Sequence, residues 1–137
     1  QGGGASLLLG SILGPSRISA VAADLPFLTH FPRSMELAGD TGAYRLASLP
    51  MKKLDTEKRA LAWRNLGFVD TISHAHRLTV PVLLTLGTAD TVCPPESIRE
   101  LFERLPGSKS LTELHGQEHG FTAPFLQLTL AWMRLYV

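Results

Sequence analysis

Cysteine, aromatic residues and an excess of charge of either sign are all scarce in this sequence. The single cysteine, Cys93, excludes an intrachain disulfide and fits a reducing compartment. A total of 13 basic and 12 acidic residues leaves a net charge of +1, which argues against nucleic acid or an anionic membrane as a partner. The longest apolar runs, at residues 7–9 and 80–86, are too short to span a bilayer.

The chain has 137 residues, of which 45% are hydrophobic, and this composition is typical of one globular domain. Hydrophobic periodicity and turn residues predict alternating helices and strands. The predicted strands cover residues 18–23, 80–87 and 110–114, and the predicted helices cover 2–13, 55–66, 70–78, 95–105 and 121–137. This order predicts the C-terminal half of a doubly wound, mostly parallel α/β sheet over residues 1–137, with a helical insert at about 30–78. Trp63 and Trp132 are predicted to be core residues.

Two residues that could carry chemistry follow two of the predicted strands. Asp90 lies in the loop after strand 80–87, and His119 lies in the loop after strand 110–114. Because adjacent parallel strands end at the same edge of a sheet, we expect a carboxylate–imidazole hydrogen bond there. Such a bond fixes the imidazole tautomer and stabilises the imidazolium that forms when histidine takes a proton. Asp90 and His119 are therefore candidate catalytic residues.

Structural roles remain open for the same residues. Asp90 in a loop before Pro-Pro is also typical of a turn residue or of a cap for helix 95–105. Cys93 is predicted to pack rather than to act as a nucleophile. We predict no metal site, because His74 and His76 are two residues apart and do not share a helix face. The glycines around His119 favour a loop over a helical zinc pair.

No serine of the chain lies in a Gly-x-Ser-x-Gly motif. The opening residues 1–4, Gln-Gly-Gly-Gly, look like the half of that motif that follows the nucleophile. We therefore expect a Gly-x-Ser directly before Gln1, with the backbone N–H of Gln1 as an oxyanion donor and residues 2–13 as the following helix. A flexible glycine-rich terminus is the alternative interpretation.

Several segments recur in one order and carry a resemblance to a known family. They are Gln-Gly-Gly-Gly at 1–4, Ala-Asp-Leu-Pro-Phe-Leu at 23–28, Phe-Val-Asp at 68–70, His-Ala at 74–75, Val-Pro-Val-Leu at 80–83, Gly-Thr-Ala-Asp-Thr-Val-Cys-Pro-Pro at 87–95 and Glu-His at 118–119. Over nearly its whole length the chain resembles the C-terminal part of the acetyl xylan esterase and cephalosporin C deacetylase family.

The resemblance implies an α/β-hydrolase fold and the removal of acetyl groups from sugars and related small esters, without a cofactor. It implies a cytoplasmic, homo-oligomeric parent protein with a small acetylated substrate. It assigns Asp90 as the triad acid, His119 as the general base and Gln1 as an oxyanion donor. It also places Phe27 in the acyl pocket, although an ordinary core phenylalanine fits that position equally well.

Two departures from the family pattern bear on activity. The nucleophile serine and the residues before it are absent, and His119 is followed by Gly120 where the family more often has Glu. Loss of a triad nucleophile costs several orders of magnitude in rate, so we expect this chain alone to be inactive. The alternatives are another α/β-hydrolase, dienelactone-hydrolase-like or peptidase-like, and a non-catalytic fragment that depends on a partner. An exposed sheet edge predicts poor solubility.

Overall fold

The computed structural model describes residues 1–39 and 42–137 of the chain. Three strands form one parallel sheet, with helices before, between and after them. In chain order the elements are α1 (Gly2–Leu13), β1 (Val21–Ala23), α2 (Phe31–Ala38), α3 (Arg45–Lys52), α4 (Thr56–Leu66), α5 (Thr71–His74), β2 (Val82–Gly87), α6 (Pro95–Arg104), β3 (Lys109–Leu114) and α7 (Ala123–Tyr136). Short 3₁₀ turns at Gly42–Tyr44 and Ala75–Arg77 precede α3 and follow α5.

The sheet confirms the predicted α/β class. β2 lies in the middle and pairs in parallel with β1 and β3, so that Val21 lies opposite Val82 and Gly87 lies opposite Leu114. Parallel neighbours need a long crossover connection, which α2–α5 provide between β1 and β2 and α6 provides between β2 and β3. All of β2 is buried, as a strand covered on both faces requires.

The main hydrophobic core forms around the sheet. Its buried members come from α1, from both crossover connections and from β1 and β2. They are Leu7, Val21, Ala23, Ala75, Leu78, Val80, Val82, Leu84, Leu86, Cys93, Ile98, Leu101 and Leu105. A second, smaller cluster of Phe31, Met35 and Tyr44 lies in the insert. Burial of apolar side chains stabilises the fold by about 25 cal/mol per Å². The strand that ends just before Asp90 is thus anchored in the main core.

Two aspartates fix where helices of the insert begin. Asp55 caps α4, and its Oδ1 accepts a hydrogen bond from the backbone N–H of Lys58 at 2.8 Å. Asp70 caps α5 by accepting a hydrogen bond from the backbone N–H of Ile72, and its two oxygens also accept from the N–H groups of His30 and Phe31, both at 2.7 Å. Asp70 is buried, so its side chain joins the start of α2 to the start of α5.

The first strand is shorter than the sequence predicts. Of residues 18–23, only Val21–Ala23 pairs with β2. The backbone N–H of Ile18 donates to the carbonyl oxygen of Gly14 at 3.0 Å, so residues 18–20 belong to the connection after α1. The apolar run extends into that connection because Ile18 packs against the main core, and hydrophobicity alone does not separate the two segments.

The prediction that Trp63 and Trp132 are core residues is wrong. Both side chains are only half-buried. Trp63 packs against the second cluster, and Trp132 packs against Tyr136 of its own helix with 4.6 Å between ring centroids. No residue of α7 is buried, and several of its large apolar side chains are exposed: Leu126, Leu130 and Leu135. Periodicity identifies an apolar face of a helix but does not show what covers that face.

None of the helices in the described part of the chain combines the length and the apolar character needed to cross a membrane.

Candidate active site

Asp90 and His119 meet at the carboxyl edge of the sheet. The last residues of β2 and β3, Gly87 and Leu114, are paired, so the loops that follow the two strands begin side by side. The Nδ1 atom of His119 lies 2.9 Å from Oδ2 of Asp90, within hydrogen-bonding distance. The structure therefore brings together the two residues that the sequence nominates as acid and base, while their catalytic roles stay predictions.

Backbone donors hold the oxygen of the Asp90 carboxylate that His119 does not contact. Its Oδ1 accepts hydrogen bonds from the N–H groups of Val92 and Cys93, both at 2.8 Å. The side chain of Asp90 is 0% exposed, so these bonds compensate for its removal from water. Asp90 does not cap α6, because the capping position before that helix is Pro94. The carboxylate is instead fixed to present Oδ2 to the imidazole.

The loop that carries His119 is tied to the loop that carries Asp90. The N–H of Gly116 donates to Oγ1 of Thr88 at 2.9 Å, and the N–H of Ala89 donates to the carbonyl oxygen of Gln117 at 3.1 Å. A Cβ at Gly87 would overlap that carbonyl oxygen and lie 3.1 Å from its carbon, so glycine allows this approach. The two loops thus form one hydrogen-bonded unit.

The imidazole of His119 combines a fixed side and an open side. Its side chain is 38% exposed, and within the described residues Nδ1 bonds to Asp90 whereas Nε2 makes no hydrogen bond. When Nδ1 carries the proton that Asp90 accepts, Nε2 has a free lone pair. This arrangement can take a proton from a hydroxyl group and return it to a leaving group.

Together with Cys93, Asp90 and His119 form a group of three side chains that could hold a metal ion. Ligand atoms of Asp90, Cys93 and His119 all lie within 4.8 Å of one another. Burial, followed by the charge of Asp90, raises the pKa of the Cys93 thiol to about 12, so without a metal ion the thiol keeps its proton at neutral pH. The Asp90 oxygens are also already occupied by three hydrogen bonds. The cluster therefore fits an acid–base pair with a packed thiol better than a metal site.

We expect Cys93 to resist thiol-directed reagents while the chain is folded. Thiolate is the reactive form, and at pH 8 a pKa of about 12 leaves almost none of it. Treatment with iodoacetamide followed by mass spectrometry should show no modification of the native chain and full modification in denaturant. Fast alkylation of the native chain would contradict the buried position of Cys93.

The same shift predicts the pH dependence of stability. The unfolded thiol ionises near its ordinary pKa of 9.0, whereas the folded thiol keeps its proton to about 12. The unfolded state therefore binds fewer protons between those values, and the free energy of unfolding falls as pH rises through that window. Urea denaturation at pH 8 and pH 10 should show this decline, and Cys93→Ala should reduce it.

Gln1, the predicted oxyanion donor, lies at the start of α1. Its residue is exposed, and its carbonyl oxygen accepts from the N–H of Ala5 at 3.0 Å. The oxyanion role of Gln1 stays a prediction.

Phe27 lies between the two hydrophobic clusters. It is half-buried and packs against both, with ring centroids 5.0 Å from Tyr44 and 6.3 Å from Phe31. These contacts are those of a core side chain, and its place in an acyl pocket stays a prediction. Its carbonyl group lies directly against Gly4 of α1.

Sequence reasoning missed two residues beside this site. Asp24 follows β1 directly, and its carboxylate accepts hydrogen bonds from the hydroxyl groups of Thr85 and Thr122. The signal for Asp24 was present, since Asp24 closes β1 as Asp90 closes β2 at the same edge of the sheet. Thr122 gave no signal, because its partner is distant in the sequence.

The sequence profile described as acetyl xylan esterase (AXE1) matches residues 1–134. Two solved structures are similar over the whole chain. Acetyl xylan esterase 1 from Thermoanaerobacterium sp. is 26% identical with a TM-score of 0.87, and 100% of this chain aligns with 44% of that protein. The acetyl xylan esterase from Paenibacillus sp. is 27% identical with a TM-score of 0.88, and 100% of this chain aligns with 43% of it.

A more distant neighbour shares the fold alone. The monoacylglycerol lipase from Paleococcus ferrophilus is 21% identical with a TM-score of 0.62 over 96% of this chain and 64% of that protein. The chain spans less than half of the length of the two acetyl xylan esterases. The described sheet and helices therefore correspond to the C-terminal part of an α/β-hydrolase esterase.

Proposed function

The chain belongs to the acetyl xylan esterase family, and from that premise we propose that it supplies the acid, the base and one oxyanion donor of a serine esterase. The proposed substrates are acetylated sugars and related small acetyl esters, with cephalosporin C among them. The observation that carries the proposal is the 2.9 Å contact between His119 and a buried, hydrogen-bonded Asp90 at the carboxyl edge of the sheet. No cofactor takes part in this chemistry.

In the proposed reaction a serine hydroxyl outside these residues attacks the acetyl carbonyl carbon. Nε2 of His119 takes the hydroxyl proton, and Asp90 stabilises the resulting imidazolium. The N–H of Gln1 donates to the oxyanion of the tetrahedral intermediate. His119 then protonates the leaving sugar oxygen, and in the second half-reaction it takes a proton from the water that releases acetate.

Phe27 is the residue that we propose beside the acetyl group. Its backbone lies against the start of α1, near the proposed oxyanion donor, and its ring lies beside Tyr44. An apolar ring suits the methyl group of an acetyl ester and excludes water from it.

A joined protein tests the function. The segment of the Thermoanaerobacterium enzyme that precedes its aligned region would be fused directly before Gln1. The fused chain then contains that segment followed by residues 1–137. We expect the fusion to hydrolyse p-nitrophenyl acetate and to release acetate from acetylated xylose. The 137-residue chain alone should be slower by about 10⁶-fold, the cost of losing a triad serine.

The two separate halves, each purified alone, are the controls. Hydrolysis by the 137-residue chain alone would contradict the proposal that its nucleophile lies elsewhere. A folded fusion that cleaves long-chain esters but not acetate would contradict the acetyl substrate. A folded fusion without any esterase activity would contradict the catalytic assignment.

A further inference from the structure

We propose that Asp24 is a positioning residue that holds the His119 loop in register with Asp90 through the hydroxyl group of Thr122. This inference rests on the proposed function of His119 and deepens it. Asp90 orients the ring directly, whereas Asp24 fixes the backbone at the far end of the same loop. Neither Asp24 nor Thr122 touches the imidazole or the substrate.

Asp24, which follows β1, bonds to Thr85 in β2 and to Thr122 in the segment after β3. Its Oδ1 and Oδ2 both lie 2.8 Å from the hydroxyl oxygen of Thr122, whose single hydrogen is shared between them. Oδ1 also accepts from the hydroxyl of Thr85 in the central strand. Thr85 and Thr122 are buried at 0% and 1% exposure, whereas Asp24 is half-buried, so these bonds are shielded from water on the threonine side. A hydrogen bond to a charged acceptor away from water is stronger than a neutral one.

The hydroxyl of Thr122 is directed away from its usual local use. Thr122 occupies the capping position of α7, where a threonine side chain ordinarily accepts from an N–H of the first helical turn. That capping bond is not formed here. The hydroxyl instead donates across the sheet edge to a carboxylate 98 positions earlier in the chain. The hydroxyl of Thr122 therefore makes a tertiary contact and no local cap.

The contact fixes the end of the His119 loop that adjoins α7. Before His119, the loop bonds to the Asp90 loop through Gly116 and Gln117. After His119, residues 120 and 121 are exposed, and the next fixed point is Thr122. Without that point, the segment carrying the imidazole would be free to swing away from Oδ2 of Asp90. The base would then lose the bond that selects its tautomer.

The Thr85 end of the network gives Asp24 its own fixed position. The hydroxyl of Thr85 donates to Asp24 and accepts from the backbone N–H of Leu25 at 3.2 Å. Thr85 lies in β2, the strand that leads to Asp90. Asp24, which bonds to Thr122 at the end of the His119 loop, is therefore also bonded to β2, the strand that leads to Asp90. These two bonds keep the His119 loop and the Asp90 loop in one relative position.

The tautomer of His119 is the measurement that tests this role. The 137-residue chain would be labelled with ¹⁵N-histidine, and the Nδ1 and Nε2 chemical shifts would be recorded at a pH where free imidazole is neutral. In the native chain we expect the Nδ1–H form, held by Asp90. Asp24→Ala and Thr122→Val should both lose that preference. The double variant should add nothing further, because both changes remove the same contact.

Two matched variants separate positioning from general loss of stability. Thr71→Val removes another buried threonine hydroxyl, which donates to Thr29 at 3.1 Å, and should leave the His119 tautomer unchanged. Thr122→Ser keeps the hydroxyl and should retain the native signal. Unchanged His119 shifts in folded Thr122→Val, or an equal change in Thr71→Val, would overturn the inference. Because the measured quantity is the tautomer of His119 and not a rate, the test of this inference does not depend on whether the fused protein hydrolyses an ester.

Discussion

Replacing His119 with alanine in the fused protein is expected to lower kcat for acetate ester hydrolysis by about 10⁶-fold, because a triad without its base also loses the use of its nucleophile. Asp90→Asn is expected to cost about 10⁴-fold, since an amide no longer selects the tautomer or stabilises the imidazolium. The 2.9 Å bond between these residues makes their effects interdependent. The double variant should therefore be no slower than His119→Ala alone.

His115 provides a matched control for these two variants. It is an exposed histidine at the start of the same loop, and the Asp90 side chain bonds instead to Val92, Cys93 and His119. His115→Ala should keep kcat within about twofold of the unaltered fusion, since surface substitutions away from special features change little. Stopped-flow and steady-state assays with p-nitrophenyl acetate give the rates. A comparable loss in His115→Ala, or full activity in His119→Ala, would contradict the assignment.

Gly4→Ala is expected to destabilise the chain by about 3 kcal/mol, at the upper end of the cost of overpacking a core. A Cβ at Gly4 would overlap the carbonyl oxygen of Phe27 and lie 3.1 Å from Cβ of Leu28. The obstacle is backbone, so it cannot rotate away as a side chain does. The segment that would have to move is already strained, because Leu25 and Leu28 have φ angles of 40° and 65°.

Gly2→Ala in the same helix is the control. Nothing lies within 4 Å of a Cβ at Gly2, so that change should be neutral or stabilise α1 by up to about 1 kcal/mol. Urea denaturation followed by circular dichroism measures both variants. Equal stability of the two variants would contradict the close approach of α1 to the segment after β1. A loss confined to Gly4→Ala would confirm that the glycines at the start of α1 have different structural roles.

Local patterns predicted the elements well wherever one physical cause dominated. The apolar run before Gly87 predicted β2, because a central parallel strand is buried on both faces. The predicted helices 55–66 and 70–78 begin where α4 and α5 begin, next to the capping residues Asp55 and Asp70, since capping acts over a few residues. The order of strands then predicted that Asp90 and His119 would share one edge of the sheet. Their proximity in space followed from the order of the parallel strands alone.

Hydrophobic periodicity did not predict which helix faces are covered by other parts of the protein. Trp63 and Trp132 lie on apolar helix faces, yet both remain half-buried. Whether such a face is covered depends on the position of distant elements, and hydrophobic periodicity carries no information about them. The shortened β1 has a similar cause, since pairing with β2 decides where a strand begins.

The sequence by itself determined the α/β class, the central strand and the two candidate residues at its edge, because these depend on periodicity, capping and strand order. Only the tertiary structure decided how that edge is held together. The bond from Thr122 to Asp24 joins residues 98 positions apart, and the close approach at Gly4 depends on the path of the segment after β1. Such contacts form when the chain is packed, and no local propensity specifies them.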